Sequence, residues 1–142
     1  MYAFTYSDEY QEFDYGPSHP VNLRRLKLAY ELMDAYGLFD GDDVSLVGAE
    51  AASETEALTF HSPHYLAFLR RADEAENPGA DPPDPADAKR YNLGEDDNPL
   101  FPGVYSWGLL CVGATLEAAR RLADGSARIA FNSATSLECV AR

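Results

Sequence analysis

The sequence is poor in positive charge, and this scarcity excludes several kinds of partner. Only 11 residues are lysine or arginine against 24 aspartates and glutamates, so the net charge is -13 at pH 7. Just two of the cations are lysines, Lys27 and Lys89. Because such an acidic surface repels nucleic acid phosphates, we expect no direct binding of DNA or RNA. The acidity favours either a basic partner or substrate, or, in the interpretation we prefer, adaptation to high salt, which the scarcity of lysine fits.

Cysteine and long apolar runs are also scarce. The two cysteines, Cys111 and Cys139, lie far apart in the sequence and form no disulfide framework. No apolar run approaches the ~20 residues that a membrane helix needs. The N-terminal stretch MYAFTYSDEY lacks the basic and apolar segments of a secretory signal. These absences predict a cytoplasmic protein that does not contact a membrane, and 142 residues suffice for one domain with a core.

Strand and helix patterns alternate along the chain. β-rich stretches and apolar residues at helical spacing predict three strands, at 2–6, 44–47 and 127–132, and two long helices, at 21–36 and 105–123. The apolar stripe of the first helix is Leu28, Leu32 and Tyr36, with Ala29 and Met33 beside them. That of the second helix is Leu109, Val112, Leu116 and Ala119. A capping-box pair, Ser53 and Glu56, and a second cap, Ser62 before Pro63, predict two short helices that separate near His61. The alternation indicates an α/β fold with a parallel sheet flanked by helices.

Two features of this organisation would face solvent. Residues 76–90 carry four prolines and many acids, and we interpret them as a mobile surface loop. Only three strands are visible, so the edges of the sheet would be exposed. We therefore expect poor solubility, or oligomers formed by self-association through the exposed sheet.

Three short stretches contain side chains that could do chemistry. His61 and His64 in HSPH could share a metal, but a helix starts between them and no further ligand stands nearby in sequence, so capping or packing is the alternative. The acids of GEDD, residues 94–97, could do acid–base work or bind a cation. The loop DYGPSHP, residues 14–20, is either a binding loop or a rigid connection between a strand and a helix.

Glu138 and Cys139, near the end of the sequence, form a fourth candidate. They could be imagined as a base and a nucleophile. A reactive thiol needs a nearby cation or helix N-terminus, whereas an adjacent carboxylate has the opposite effect on its pKa. The pair is therefore a poor candidate for nucleophilic catalysis.

In combination, these stretches resemble a known family. DYGPSHPVNLRRLKLAYELMDAYGL, HSPHYLAFLRRA, NLGEDDNPLFPGVYSWGLLCVGATLEAARRL and RIAFN follow one another as in the N-terminal part of the histone deacetylase superfamily, with a likeness to its acetoin-utilisation branch. The resemblance implies a partial arginase–deacetylase fold over residues 1–132 and a diverged tail at 133–142. It also implies zinc-dependent hydrolysis of acetyl-lysine or related amides, in which a metal-bound water attacks the carbonyl and a tandem histidine pair supplies the base.

The resemblance also implies a substrate site. By position, His19 and Pro20 would stand in the loop at the substrate entrance, and Arg25 near the inner end of the channel. Asp97, or its neighbour Asp96, would be the rim aspartate that holds the substrate backbone. The substrate would then be an acetylated protein or an acetylated small molecule.

The resemblance breaks down after the last strand. Where the family reads approximately Asn-Pro-Ala-Gly-Gly-Leu-His-His, this chain reads NSATSLEC, so Glu138 and Cys139 replace the histidine pair. The family's zinc ligands and oxyanion tyrosine belong to later segments, so we expect no catalytic residue, metal ligand or cofactor in this chain, although the full-length family uses zinc. We interpret the chain as a truncated deacetylase that is inactive alone. The alternatives are a non-catalytic module that binds acetylated ligands, and one half of a split zinc deacetylase.

Overall fold

A three-stranded parallel sheet organises the chain. The computed structural model describes residues 1–17, 19–75, 77, 79, 81–95 and 98–134. The sheet has the strand order β2-β1-β3, with β1 at Tyr2–Tyr6, β2 at Val44–Gly48 and β3 at Ile129–Asn132. The described residues also form a 3₁₀ turn at Asp8–Glu12 and five α-helices: α1 at Arg24–Ala35, α2 at Glu54–Ala57, α3 at Pro63–Glu74, α4 at Pro85–Arg90 and α5 at Val104–Ala123. The predicted α/β class with a parallel sheet is confirmed.

Local capping signals set the starts of α2 and α3. The side chain of Ser53 accepts a hydrogen bond from the backbone N–H of Glu56, and the Glu56 carboxylate accepts one from the N–H of Ser53 at 2.8 Å. Ser62 Oγ accepts from the N–H of Tyr65 at 3.2 Å, and Pro63 is the first residue of α3. Because these bonds satisfy N–H groups that the helix itself leaves unpaired, both predicted helix starts are confirmed.

Residues 85–90 correct the sequence analysis, which places them in a loop. They form α4, because Asp84 Oδ1 accepts the N–H of Ala86 at 2.8 Å and Pro85 occupies the first turn, where its missing N–H costs nothing. The prolines and acids that indicate a loop by composition here begin a helix. Mobility of the segment 76–90 stays a prediction.

The sheet has helices on both faces. Side chains alternate along β1, and Phe4 and Tyr6 point to the α1 side, where Tyr30 stacks on Tyr6 with ring centroids 4.3 Å apart. On the opposite face, Asn132 of β3 donates a hydrogen bond from Nδ2 to Thr115 Oγ1 of α5 at 3.0 Å. The described part of the chain contains no helix that is long and apolar enough to cross a membrane.

The two long helices bury their predicted apolar stripes only in part. In α1, Leu28, Leu32 and Tyr36 are exposed, and the residues that pack against the core are Leu26, Tyr30 and Met33, of which the sequence predicts only Met33. In α5, Leu109 of the predicted stripe is half-buried against the core. In α5 the buried side chains are Val104, Trp107, Leu110, Cys111, Ala114 and Ala118. Both helices have apolar residues on adjacent stripes, so helical spacing alone does not say which stripe faces the sheet.

Part of the α1 face of the sheet is open to solvent. Ile129 and Phe131 of β3 are 51% and 54% exposed, although Phe131 also stacks on Phe4 with centroids 5.5 Å apart. Leu28 and Leu32 of α1 are also exposed, at 52% and 58%. Exposed apolar surface of this kind favours association, and the self-association expected from the sequence stays a prediction.

Candidate functional site

The loop from Asp14 to Pro20 lies beyond the carboxyl end of β1, the edge where parallel sheets place their ligand sites. Asp14 Oδ1 accepts a hydrogen bond from the N–H of Gly16 at 2.9 Å. Gly16 has a φ of +100°, a conformation that favours glycine, and its carbonyl accepts the N–H of His19 at 3.2 Å. These bonds fix the backbone of the loop from within.

His19 presents a buried polar atom. Nδ1 of His19 lies 3.1 Å from both the backbone N–H and the carbonyl oxygen of Val21. It accepts from that N–H in one tautomer and donates to that carbonyl in the other, so Nε2 is a donor in the first and an acceptor in the second. This Nε2 is buried and has no hydrogen-bond partner among the described residues. Because buried polar atoms are normally hydrogen-bonded, Nε2 of His19 offers an unpaired position, and in the Nε2–H tautomer it can donate to a carbonyl or carboxylate oxygen.

Aromatic rings surround this imidazole. Tyr15 contacts His19 edge-on with ring centroids 4.8 Å apart, and it also contacts Phe101 at 5.0 Å. Trp107 lies 6.2 Å from Tyr15 and 5.6 Å from Tyr10, and both Tyr10 and Trp107 are fully or almost fully buried. The Tyr15–Phe101 contact joins the 14–20 loop to the segment that precedes α5.

Burial keeps Tyr10, Tyr15 and Cys111 neutral. It raises the pKa of Tyr15 to about 12, with a smaller contribution from Cys111, while the nearby Trp107 indole and the Arg25 charge oppose the rise. Burial also raises the pKa of Tyr10, and it raises the pKa of the Cys111 thiol to about 12. At neutral pH Tyr10 and Tyr15 therefore carry no phenolate and Cys111 supplies no thiolate nucleophile.

The remaining predicted site residues are placed differently. Pro20 is exposed, and Arg25 is exposed in the first turn of α1, close enough to Tyr15 for its charge to affect the pKa of that phenol. Asp96 and Asp97 lie outside the described residues. Of the predicted site residues, the structure packs His19 against Tyr15, with ring centroids 4.8 Å apart.

The loop that carries these two aspartates has a tight base. The N–H of Gly94 donates to the carbonyl of Asn98 at 2.7 Å, and the N–H of Asn98 donates to the carbonyl of Glu95 at 3.0 Å. Gly94 has a φ of +89°, and Leu93 before it is buried. These hydrogen bonds join Gly94 and Glu95 to Asn98, directly before the segment that leads to Phe101.

The carboxyl end of β3 is also fixed by side-chain hydrogen bonds. Asn132 Oδ1 accepts the N–H of Ala134 at 3.0 Å, in addition to the bond from its Nδ2 to Thr115. Ser133 Oγ is buried and has no partner among the described residues. Glu138 and Cys139 lie outside the described residues.

The two histidines near α3 have separate partners. The His61 ring packs against Tyr65 with centroids 5.2 Å apart, and burial lowers the pKa of His61. His64 Nδ1 instead lies 2.6 Å from the Tyr91 hydroxyl. Within the part of the chain that the structure describes, no three His, Cys, Asp or Glu side chains are placed to hold a metal ion. The described residues therefore do not supply a donor set for zinc.

Tyr10 and Trp107 belong to the aromatic cluster around Tyr15, although neither is predicted from the sequence. Tyr10 lies in the 3₁₀ turn after β1 and Trp107 lies in α5, so their contact joins distant parts of the sequence. The one feature of the sequence that could have pointed to Trp107 is that it is the only tryptophan of the chain. A large aromatic residue next to a rigid loop is typical of a ligand pocket.

Most of the chain matches a known protein family. The model of the histone deacetylase domain matches residues 19–136. The chain belongs to the histone deacetylase family. The acetoin utilization protein AcuC of Bacillus subtilis is 33% identical over 130 residues, which are 92% of this chain and 32% of that protein. Histone deacetylase 9 of Arabidopsis thaliana is 36% identical over 135 residues, covering 95% of this chain and 30% of that protein.

Solved structures show the same fold. An HDAC homolog from Aquifex aeolicus superposes with a TM-score of 0.73 at 24% identity, covering 92% of this chain and 33% of that one. An HDAC homolog in complex with SAHA gives a TM-score of 0.72 at 25% identity, with 92% and 32% covered. The fold is therefore that of the arginase–deacetylase class, and the chain spans about a third of the length of the proteins it matches.

Proposed function

We propose that this chain forms the substrate-entrance side of a deacetylase-type protein, and that it binds acetylated ligands there without hydrolysing them by itself. The contact between Tyr15 and Phe101, with centroids 5.0 Å apart, carries this proposal. It joins the loop that holds His19 to the segment that follows the loop of Asp96 and Asp97. These are the two regions that the family resemblance assigns to substrate binding.

The chemistry of the cluster suits an acetylated lysine better than a free one. Neutral aromatic side chains suit an uncharged amide, whereas a lysine ammonium would lose part of its hydration against them. In the tautomer that carries its proton on Nε2, the buried Nε2 of His19 can donate to the acetyl carbonyl. The net charge of -13 would attract basic residues that flank the acetylated lysine in a protein substrate.

The sequence after β3 supports the proposed absence of hydrolysis. By the family resemblance, Glu138 and Cys139 stand where the family has its histidine pair. A general base works best with a pKa near the operating pH, which a histidine has and a glutamate lacks unless its environment raises its pKa. We expect no acetate release from acetylated peptides, with or without added zinc.

Isothermal titration calorimetry with an acetyl-lysine peptide and its unmodified counterpart tests the proposal. The acetylated peptide should bind more tightly, and His19→Ala should weaken it about tenfold, the effect of one hydrogen bond. His61→Ala is the matched control, because His61 packs on Tyr65 outside the cluster. Equal affinity for both peptides would contradict binding of the acetyl group, and acetate release by the purified chain with zinc would contradict the absence of hydrolysis.

A further inference from the structure

The outer side of α1 carries large apolar residues that face solvent. Leu28, Leu32 and Tyr36 recur at four-residue spacing and are 52%, 58% and 76% exposed. The helix packs on the core through its opposite side, so these residues contribute little to the fold of a single copy. We call them the outer stripe of α1. Exposed apolar residues that line up in this way are typical of an interaction surface, whereas scattered ones are not.

A row of charges runs beside the outer stripe. Its members are spaced three, four and three residues apart, which places them along one side of a helix: Arg24, Lys27, Glu31 and Asp34. The two positive charges lie in the first half of α1 and the two negative charges in the second half. None of the four forms an ion pair with another described residue. The row is therefore free to pair with charges on a partner.

The order of these charges makes the row complementary to itself. When two copies of a helix pack antiparallel about a two-fold axis, the first half of one lies beside the second half of the other. Lys27 of one copy then lies beside Glu31 of the second copy, and Arg24 lies beside Asp34. Each pair occurs twice because of the symmetry. Parallel packing would place like charges together, so the row favours the antiparallel arrangement.

Charge also favours a second copy over a different partner. A uniformly basic partner would be repelled by Arg24 and Lys27, and a uniformly acidic one by Glu31, by Asp34 and by the net charge of -13. The net charge also opposes association of two copies. At about 0.15 M salt, however, the Debye length is about 8 Å, so this long-range repulsion is screened more than the attraction between adjacent side chains.

We propose that the outer stripe of α1 and the charge row beside it form a homodimer interface, in which α1 packs antiparallel against α1 of a second copy. The interface is small, because each copy contributes one short helix, so the dimer is weak, with a dissociation constant of about 10–100 µM. The inference does not rest on the proposed function, since the contact needs no ligand.

Sedimentation equilibrium of the full chain, at about 1–300 µM protein and about 0.15 M salt, tests the proposal. The wild type should show a monomer–dimer equilibrium. Lys27→Glu and Glu31→Lys each bring like charges together across the two-fold axis, so each variant alone should dimerise at least about tenfold more weakly. An equimolar mixture of the two variants places opposite charges at both positions again. The mixture should therefore dimerise with an affinity near that of the wild type.

Two further variants separate this interface from other causes of association. Glu74→Lys changes an exposed charge on α3 by the same amount as Glu31→Lys, and it should dimerise at least as well as the wild type. Ile129→Ser alters the exposed part of β3 and should leave the dimer unchanged. A wild type that stays monomeric, a mixture that associates no better than its two components, or a dimer that is lost only in Ile129→Ser would overturn the proposal.

Discussion

Gly113 of α5 lies directly against the carbonyl oxygen of Glu50, so closely that a β-carbon at position 113 would be 1.8 Å from that oxygen. Glu50 belongs to the loop after β2, and in the same loop the N–H of Ala52 donates to the carbonyl of Leu109 in α5 at 2.9 Å. Helix and loop backbones thus touch without an intervening side chain. This contact sets the distance between α5 and the carboxyl edge of the sheet.

The first prediction concerns this contact. Gly113→Ala should destabilise the protein by about 2 kcal/mol or more, because the added methyl group collides with backbone atoms that cannot rotate away. Gly108→Ala in the same helix is the matched control, since a β-carbon there would meet no atom of another part of the protein within 4 Å. We expect the control to be neutral or to stabilise the helix by up to about 1 kcal/mol. Urea denaturation measures both, and equal midpoints would contradict the close approach.

The second prediction concerns the end of β3. Asn132→Ala removes the bonds to Thr115 and Ala134, and Thr115→Val removes the hydroxyl that accepts one of them. Each change should cost about 1–2 kcal/mol. In a double-mutant cycle the combined cost should be smaller than the sum, by about 0.5 kcal/mol or more, because one hydrogen bond is lost in both single variants. Additive costs would show that this bond does not contribute.

Local signals predict much of the fold but not the contacts of the site. The capping box of Ser53 and Glu56 lies within four residues, so the sequence shows it directly. The same kind of signal, Asp84 before Pro85, is obscured by the prolines and acids around it. The composition therefore predicts a loop where the structure has α4. The stripe buried by α5 depends on where the sheet lies, which helical spacing does not show.

The candidate site depends on contacts across the sequence. The order of motifs identifies the 14–20 loop with His19, but it does not show that Tyr15 meets Phe101 or that Tyr10 meets Trp107. The contact between His64 and Tyr91 likewise joins two helices that are separate in sequence. Such contacts arise from the packing of whole elements rather than from spacing within one of them.

The third prediction is a dependence of stability on pH that comes from His61. Burial lowers the pKa of His61 below its ordinary value of 6.5, so the unfolded chain takes up a proton that the folded chain resists. This contribution to stability is fully present above about pH 6.5 and is lost as pH falls towards the folded-state pKa. The free energy of unfolding of the wild type should therefore fall, relative to that of His61→Gln, between about pH 7.5 and 5.5. A constant difference between the two proteins would contradict the assignment.

The fourth prediction concerns Cys111. Its thiol is buried in α5, and burial raises its pKa to about 12, so the native protein holds almost no thiolate at this position at pH 8. In a Cys139→Ser background, Cys111 should react with a thiol reagent at least about 100-fold more slowly in the native protein than in denaturant. Equal rates would show that the thiol is accessible and ionised in the folded chain.

The central claim is that the cluster around Tyr15 receives the neutral acetylated lysine. Trp107, the only tryptophan, lies 6.2 Å from Tyr15, so its fluorescence reports on this cluster directly. Titration with an acetyl-lysine peptide should change the emission and saturate, and the same peptide with an unmodified lysine should bind at least about tenfold more weakly. An equal response to both peptides, or no response to either, would contradict the account.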